Sequence, residues 1–544
     1  MVSIKLDKTL LFKAVGKTLS DDALRVELEQ MKVEVESIDD GVLSVDVTGD
    51  RPDLFGVNGV ARALAGRLGI AKGIPSLPLA KKPALQIIVD KDARAIRPFV
   101  VGAVVEGIRF SDDSIAEIFQ LQEKLDLTVG RKRKRVSIGL YDFDNLVPPF
   151  HFKALPPSTA FTPLKSDKEM TFDEILSGHP TGIENAKLLA GRKNYPCLVD
   201  AAGEILSLIP IINNVSSAVT EKTTRIFIDH TGTEEYACNS SLNILCQEFA
   251  DAGAKVSPVE VVYPDKTVLT PDTTPHKLRV AVAEVNKALG ASFSGKQVAD
   301  LLVRQRINAT AQGDWVDAQI PAYRADFLHP VDLIEEVALA YGYNNFEPLK
   351  PTAYTVGSVS PATMRENSVR DFLVGAGFLE VNTYITTNEA RIRASRSQAA
   401  FAEILNPVSE EYAVLRSELL PNLLDVLARN THVSYPQNLF EAGEVIVPND
   451  KLPERMETRL AVAAIACHSS ASLTEVASVL NELAKRVNGK LFLKKISSPQ
   501  FIEGRAAEVN LGGKTVGVIG EIHPAVLSGL GISMPAAAFE IDLP

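Results

Sequence analysis

The stretch AYRADFLHPVDLIEEVALAYGY (residues 322–343) sets four carboxylates, Asp326, Asp332, Glu335 and Glu336, within one short reach of chain. Pro330 suits the first position of a helix, where a missing N–H costs no intrahelical bond. Counted from there, Asp332, Glu335 and Glu336 fall at i, i+3 and i+4 and share one face, while Ile334, Val337, Ala338 and Tyr341 take the other. Asp326, in the preceding loop, can fold back toward them. Oxygen ligands at this density suit a hard cation such as Mg²⁺. Acids in a first helical turn are also favoured by the helix dipole alone, so a solvated helix face accounts for the pattern more simply. Local geometry permits the metal without requiring it.

Around this stretch lies ordinary globular material: 544 residues, 46% hydrophobic and 23% charged, enough for about three or four domains. The four cysteines show no Cys-x-x-Cys spacing and are too few to staple such a chain, which points to free thiols in a reducing, cytoplasmic setting. No apolar run approaches the roughly 20 residues of a membrane span, and the N-terminus lacks an export signal, so neither export nor membrane insertion is expected. A net charge of −11 argues against non-specific coating of nucleic acid, although the basic run GRKRKR (130–135) can still meet phosphates or remain a solvated charge run.

Composition and punctuation divide the chain into four segments. Residues 1–85 mix short alternating strands with charged helices and end in the Pro-rich linker GIPSLPLAKKPA (73–84). Residues 86–266 alternate β-branched stretches with helices, an α+β pattern. Residues 270–347 open with the strand HKLRVAV, continue through helices near 281–290 and 295–304, and close on the acidic stretch. Residues 355–544 combine helices with strands long enough for a large sheet, whose apolar face is expected to need a partner.

The motif YRADFLHPVDLIEEVALAYGYNN resembles the signature of the phenylalanyl-tRNA synthetase β-subunit family. Other blocks agree in order: TGDRPDLFGVNGVARALAGRLG (48–69) resembles that family's N-terminal domain, and HPTGIENAKLL (179–189), IPIINN and IFIDHTGTE (226–234) resemble its editing domain. ILNPVSEEYAVLRSELLPNLLDVLARN, LFEAGEV and IGEIHP resemble its C-terminal catalytic-like domain. The size is that of the archaeal and eukaryotic type. The resemblance implies a multidomain α+β chain: an N-terminal domain, an editing (tRNA deacylation) domain of mixed strands and helices, a small helix-rich acid-cluster domain, and a C-terminal class II synthetase-like antiparallel sheet with flanking helices.

It also implies a division of labour. The family attaches phenylalanine to its tRNA using ATP; the α subunit, in an (αβ)₂ heterotetramer, takes ATP and phenylalanine, and the β chain hydrolyses tyrosine wrongly attached to tRNA(Phe). Asp326, Asp332, Glu335 and Glu336 match the family's Mg²⁺-binding acids at the α contact. Within the editing block, Asp229 is the candidate acceptor for the phenolic hydroxyl that distinguishes tyrosine, with a turn-capping role as its alternative. Thr231 is the candidate to orient the ester or the attacking water. Pro210, Ile212, Asn213 and Asn214 are expected to form a pocket wall, the asparagines having a turn-forming alternative. Arg225 either steers the terminal adenosine or sits exposed before its strand. His230, next to Asp229, should point to the opposite face.

Two departures accompany the resemblance. Relatives tend to carry histidine where GLYDFD has Tyr141, and a phenol cannot take up a proton at neutral pH as imidazole can. The arginines that clamp ATP phosphates in class II cores have no counterpart here: Glu441 follows Phe440, and Arg416 reads as a structural ion pair. Activation is therefore expected on the α subunit. A scaffold subunit with a decayed editing pocket is the alternative function, and a Mg²⁺-dependent nucleic-acid-binding protein a weaker one.

Overall fold

The β-branched runs between residues 85 and 270 pair into one mixed sheet of ten strands. They are β1 (Leu85–Val89), β2 (Phe99–Glu106), β3 (Val136–Asp142), β4 (Phe150–Leu155), β5 (Tyr195–Val199), β6 (Ile205–Leu208), β7 (Ile212–Asn213), β8 (Arg225–Gly232), β9 (Lys255–Val262) and β10 (Thr267–Thr270). Their order is β7-β6-β5-β4-β1-β9-β2-β8-β3, with β10 on β9. The molecule is a computed structural model that describes residues 1–351, 355–487 and 489–543; the last residue of the fourth segment, 544, lies outside them. The sheet runs slightly beyond the expected segment end at 266, because Thr267–Thr270 pairs antiparallel with β9.

Alternation along the strands sorts side chains onto two faces. Ile226, Ile228, Val101, Ala103, Ile138 and Leu140 pack into a core shared with the N-terminal segment and with two helices, one of them Glu235–Asp251. Phe227, Val100, Val104, Tyr141, Phe150 and Phe152 build an aromatic-rich core on the opposite face.

Contacts divide the chain into two compact units, residues 1–349 and 350–544. In the first, the N-terminal segment forms a three-stranded sheet and helix α1 (Val57–Arg67). Gly56 offers α1 no capping side chain; Glu248, from the Glu235–Asp251 helix, accepts from Asn58 N and Gly59 N at 2.9 Å each. One helix thus satisfies the open N–H groups of another about 190 residues away in sequence. The third segment is a three-stranded sheet with helices Val282–Leu289 and Gly295–Arg304, followed by α2 (Pro330–Tyr341).

The second unit is a seven-stranded sheet, antiparallel except for its edge, where the short Leu379–Glu380 runs parallel to Gln437–Pro448. The bare sheet face expected from sequence is not found. Helices Pro361–Gly375 and Leu473–Arg486 pack on one face and Leu420–Arg429 on the other, each closing its own core. The fully exposed apolar residues among the described residues of this unit, Val356, Leu405 and Val408, lie outside helices and strands instead.

Candidate active site

Strand β8 is paired along its whole length with β2 on one side and β3 on the other. That pairing turns Phe227, Asp229 and Thr231 to one face and His230 to the other. His230 is fully buried against the Glu235–Asp251 helix, with Nδ1 2.7 Å from Ser241 Oγ, as alternation requires. Burial pushes its imidazole down to about 3, so it stays neutral and takes no part in the opposite face's chemistry.

Asp229 is flanked across both ladders by glycines, Gly102 on β2 and Gly139 on β3. A Cβ at Gly139 would run into Asp229 Oδ1 and the Tyr141 hydroxyl. Gly139 also lines a cavity of about 1020 Å³ that Asp229 borders. Its wall includes Ser137, Gly139, Tyr141, Ser207, Asp229 and Asp126. Asp229 is 2% exposed and its Oδ1 has no hydrogen-bond partner. Burial pushes its carboxyl up to about 6, while the nearby Tyr141 hydroxyl and the Arg97 charge pull it partway back. Tyr141 donates to Ser207 Oγ at 2.9 Å, and burial together with the Asp229 charge holds its phenol far above the ordinary value. It cannot act as a base.

The other expected residues divide. Pro210, Ile212 and Asn213 line the cavity, and Asn213 Nδ2 donates to Leu140 O at 3.2 Å, tying this wall to the edge strand β3. Asn214 does not line it. Its amide donates to Glu204 Oε1 and Ile205 O and its oxygen caps the turn at Ser216, which is the turn-forming role. Thr231 is also off the cavity wall: fully buried, its hydroxyl sits 2.9 Å from Ser137 Oγ and accepts from Arg97 Nε at 3.3 Å. Arg225 lies at the exposed start of β8, its Nε donating to Asp144 Oδ1 at 2.6 Å, and does not line this cavity.

Several cavity residues carried no sequence signal strong enough to single them out. Asp126 ends the helix Asp112–Leu127, and Ser207, Lys165 and Lys187 come from separate elements. The lone glycines inside β2 and β3 were the available hint. Lys132, Arg133, Lys134, Lys165 and Lys187 all border the cavity, outnumbering Glu123 and Glu184 at its border on a chain of net charge −11. Arg131, Lys132 and Arg133 all adopt left-handed φ, 48°, 54° and 63°. Three such non-glycine residues in succession cost on the order of 1 kcal/mol or more each. They are held by Lys132 N donating to Asp126 O at 2.8 Å and Arg133 Nη1 donating to Ile211 O at 2.6 Å.

The acidic stretch folds as the expected helix from Pro330, but its acids separate. Arg324 Nε and Nη2 donate to Asp326 at 2.8 and 2.6 Å, and Nη2 also to Glu336 Oε1 at 2.7 Å. Asp332 accepts the N–H groups of Leu328 and His329 at 2.7 Å each, as an N-terminal cap. Glu335 pairs with Lys32 at 2.8 Å. Glu336 is buried rather than turned to solvent, since Leu333, Ile334, Val337 and Leu339 bury the helix on most sides. Among the described residues no group of three or more His, Cys, Asp or Glu side chains is gathered to hold a metal ion. The four acids as placed do not fit Mg²⁺: the Arg324 guanidinium occupies the position between Asp326 and Glu336 that a cation would neutralise.

In the second unit, Arg416 is likewise committed. Its Nη1 donates to Glu441 Oε1 at 2.6 Å and Thr383 Oγ1 at 2.8 Å, and its Nε to Glu444 O at 2.9 Å, with both Arg416 and Glu441 buried. Its Nε and Nη1 are thus engaged inside the fold.

Two family models match the chain: the tRNA synthetase B5 domain over residues 278–343 and the phenylalanyl tRNA synthetase beta chain CLM domain over residues 347–543. The phenylalanine–tRNA ligase beta subunit of Archaeoglobus fulgidus is 39% identical over 527 residues, 96% of this chain and 95% of the relative. That of Thermococcus kodakarensis is 34% identical over 566 residues, covering 100% and 98%. The crystal structure of an N-terminal fragment of the phenylalanyl-tRNA synthetase beta subunit from Pyrococcus horikoshii is similar with a TM-score of 0.61 at 34% identity, covering 62% of this chain and 99% of the fragment.

Two measurements check the site. The raised Asp229 carboxyl contributes stability in full below about 3.8, and that contribution is lost as pH rises through about 6. Asp229→Asn should therefore raise the melting temperature at pH 7.5, a gain of at most about 3 kcal/mol, and leave it nearly unchanged near pH 4. A lower melting temperature at pH 7.5 contradicts the uncompensated carboxylate. Titrating Mg²⁺ onto this chain by itself should leave its melting temperature where it is; a saturable increase would show that the acids around Arg324 rearrange to hold the ion.

Proposed function

The chain belongs to the phenylalanine–tRNA ligase β-subunit family, and on that premise we propose that its cavity hydrolyses tyrosine wrongly attached to the phenylalanine tRNA. The observation that carries this reading is the buried Asp229 oxygen without a partner. Tyrosine differs from phenylalanine by one phenolic O–H, and that donor pairs the carboxylate. Phenylalanine would dry the site without pairing it, at a penalty of about 1–3 kcal/mol or more for a charged group.

The remaining features support the same substrate. The cavity is large enough for an aminoacyl group with part of a nucleoside. Its rim of Lys132, Lys134, Lys165 and Lys187 suits the phosphates of a tRNA end. Asn213 and the Pro210–Ile212 wall border the same cavity as Asp229. Thr231 acts from behind: with Arg97 it holds the Ser137 hydroxyl that reaches the cavity wall.

Activation of phenylalanine belongs, in this reading, to a separate α chain that takes ATP and the amino acid in an (αβ)₂ heterotetramer in the cytoplasm. The internal pairing of Arg416 with Glu441 supports that assignment, because the second unit keeps no free arginine at that position. The scaffold reading, with a decayed pocket, rests on Tyr141 standing where relatives tend to have histidine. The open cavity and unpaired carboxylate favour the active reading.

The test is deacylation of tyrosyl-tRNA by this chain co-expressed with a synthetase α chain. Asp229→Ala should slow hydrolysis on the order of 10²-fold or more while phenylalanine charging persists. Unchanged hydrolysis in that variant rejects the assignment, and a wild-type complex that leaves tyrosyl-tRNA intact establishes the scaffold.

A further inference from the structure

Tyr141 offers no base, His230 faces away and Asp229 is taken up by the phenol, so the proton of the attacking water needs another acceptor. A second acid borders the same cavity. Asp126, at the last turn of the helix Asp112–Leu127, is 7% exposed, and its Oδ1 is buried without a hydrogen-bond partner. Its backbone carbonyl anchors the left-handed loop, and Arg133 Nε lies 3.5 Å from its Oδ2. Arg133 in turn donates to Ile211 O on the opposite wall, so the carboxyl is aimed rather than loose.

We propose that Asp126 is the general base of the hydrolysis assigned to this cavity, a role that rests on that assignment. The two carboxyls then have separate work: Asp229 accepts the phenolic O–H, and Asp126 serves the ester. Water attacks the ester carbonyl carbon and gives its proton to Asp126; the tetrahedral intermediate collapses, the bond from carbon to the ribose oxygen breaks, and Asp126 returns the proton to that oxygen. Tyrosine and a free ribose hydroxyl result, with no other reactant. Burial raises the Asp126 carboxyl to about 7, eased by the charge of Arg133, the Ile138 N–H and Arg97, and reinforced by the negative charge of Asp229. Glu123 on its own helix, Lys132 and Lys134 on the loop, and Lys165, Glu184 and Lys187 from other elements are the remaining charged groups that border the cavity. A base near the working pH combines availability with proton affinity.

Single-turnover deacylation of tyrosyl-tRNA by the complex, corrected for uncatalysed ester hydrolysis and followed from pH 5.5 to 8.5, tests this. The wild-type rate should rise through about 7 and level off. Asp126→Asn should lose roughly 10²–10³-fold in rate, keep its apparent affinity and lose that rise, while Asp126→Glu recovers part of the rate and keeps the rise. A wild-type profile flat across the range overturns the proposal without recourse to any variant. So does Asp126→Asn that hydrolyses at the wild-type rate, or that loses rate only through weaker binding with the pH rise intact, the signature of a residue that merely positions Arg133. A wild-type complex with no hydrolysis at all removes the assigned function and this role together, whereas a fully active Asp126→Asn removes this role alone.

Discussion

Strand β8 is hydrogen-bonded on both sides, from Arg225 to Gly232 on β2 and from Ile226 to Gly232 on β3, and the rest of the site follows from that pairing. A strand paired on both edges cannot slip by one residue without turning every side chain to the wrong face. Ile226, Ile228 and His230 are committed to the helix-covered core, so Phe227, Asp229 and Thr231 must face the aromatic core and the cavity. The carboxylate is placed by the apolar residues on either side of it, whose burial outweighs the cost of carrying it inside.

What separates the acids assigned to function from the structural ones is uncompensated burial at the wall of an open cavity; Glu336 Oε2 is also buried without a partner but does not border that cavity. Asp53 receives two bonds from Arg51, and Glu441 receives Arg416 and Thr383. Glu248 caps a helix with both oxygens. Such groups behave as parts of the fold, and removing one partner leaves an exposed debt of several kcal/mol. Asp229 and Asp126 each keep a buried oxygen without a donor, and both border the same cavity. That conjunction of burial, vacancy of hydrogen bonding and open volume marks a place where a ligand supplies the missing donor.

The acidic stretch shows how far one sequence could be read. Pro330, the i, i+3, i+4 spacing and the apolar face located its helix, because these depend only on local geometry. The fate of the acids depended on Arg324, two residues before Asp326, and on Lys32, some three hundred residues away; neither pairing has a periodicity. Likewise the alternation of IFIDHTG placed Asp229 and His230 on opposite faces, whereas Asp126, Ser207, Lys165 and Lys187 reach the cavity through tertiary packing of distant segments. Thr231 sits on the correct face but one step too deep, where Arg97 and Ser137 claim its hydroxyl. The C-terminal segment reads in sequence as helices with long strands, yet nothing local assigns its helices to opposite faces of the sheet.

The central claim is that a buried, unpaired carboxylate reads one hydroxyl. Its most direct measurement is the affinity of the wild-type complex for two non-hydrolysable analogues, tyrosine and phenylalanine each joined to the 3′ position of adenosine through an amide, by titration calorimetry at pH 7.5. The account predicts that the tyrosyl analogue binds at least about tenfold more tightly, the equivalent of one satisfied charged hydrogen bond. Equal affinity for the two would contradict it.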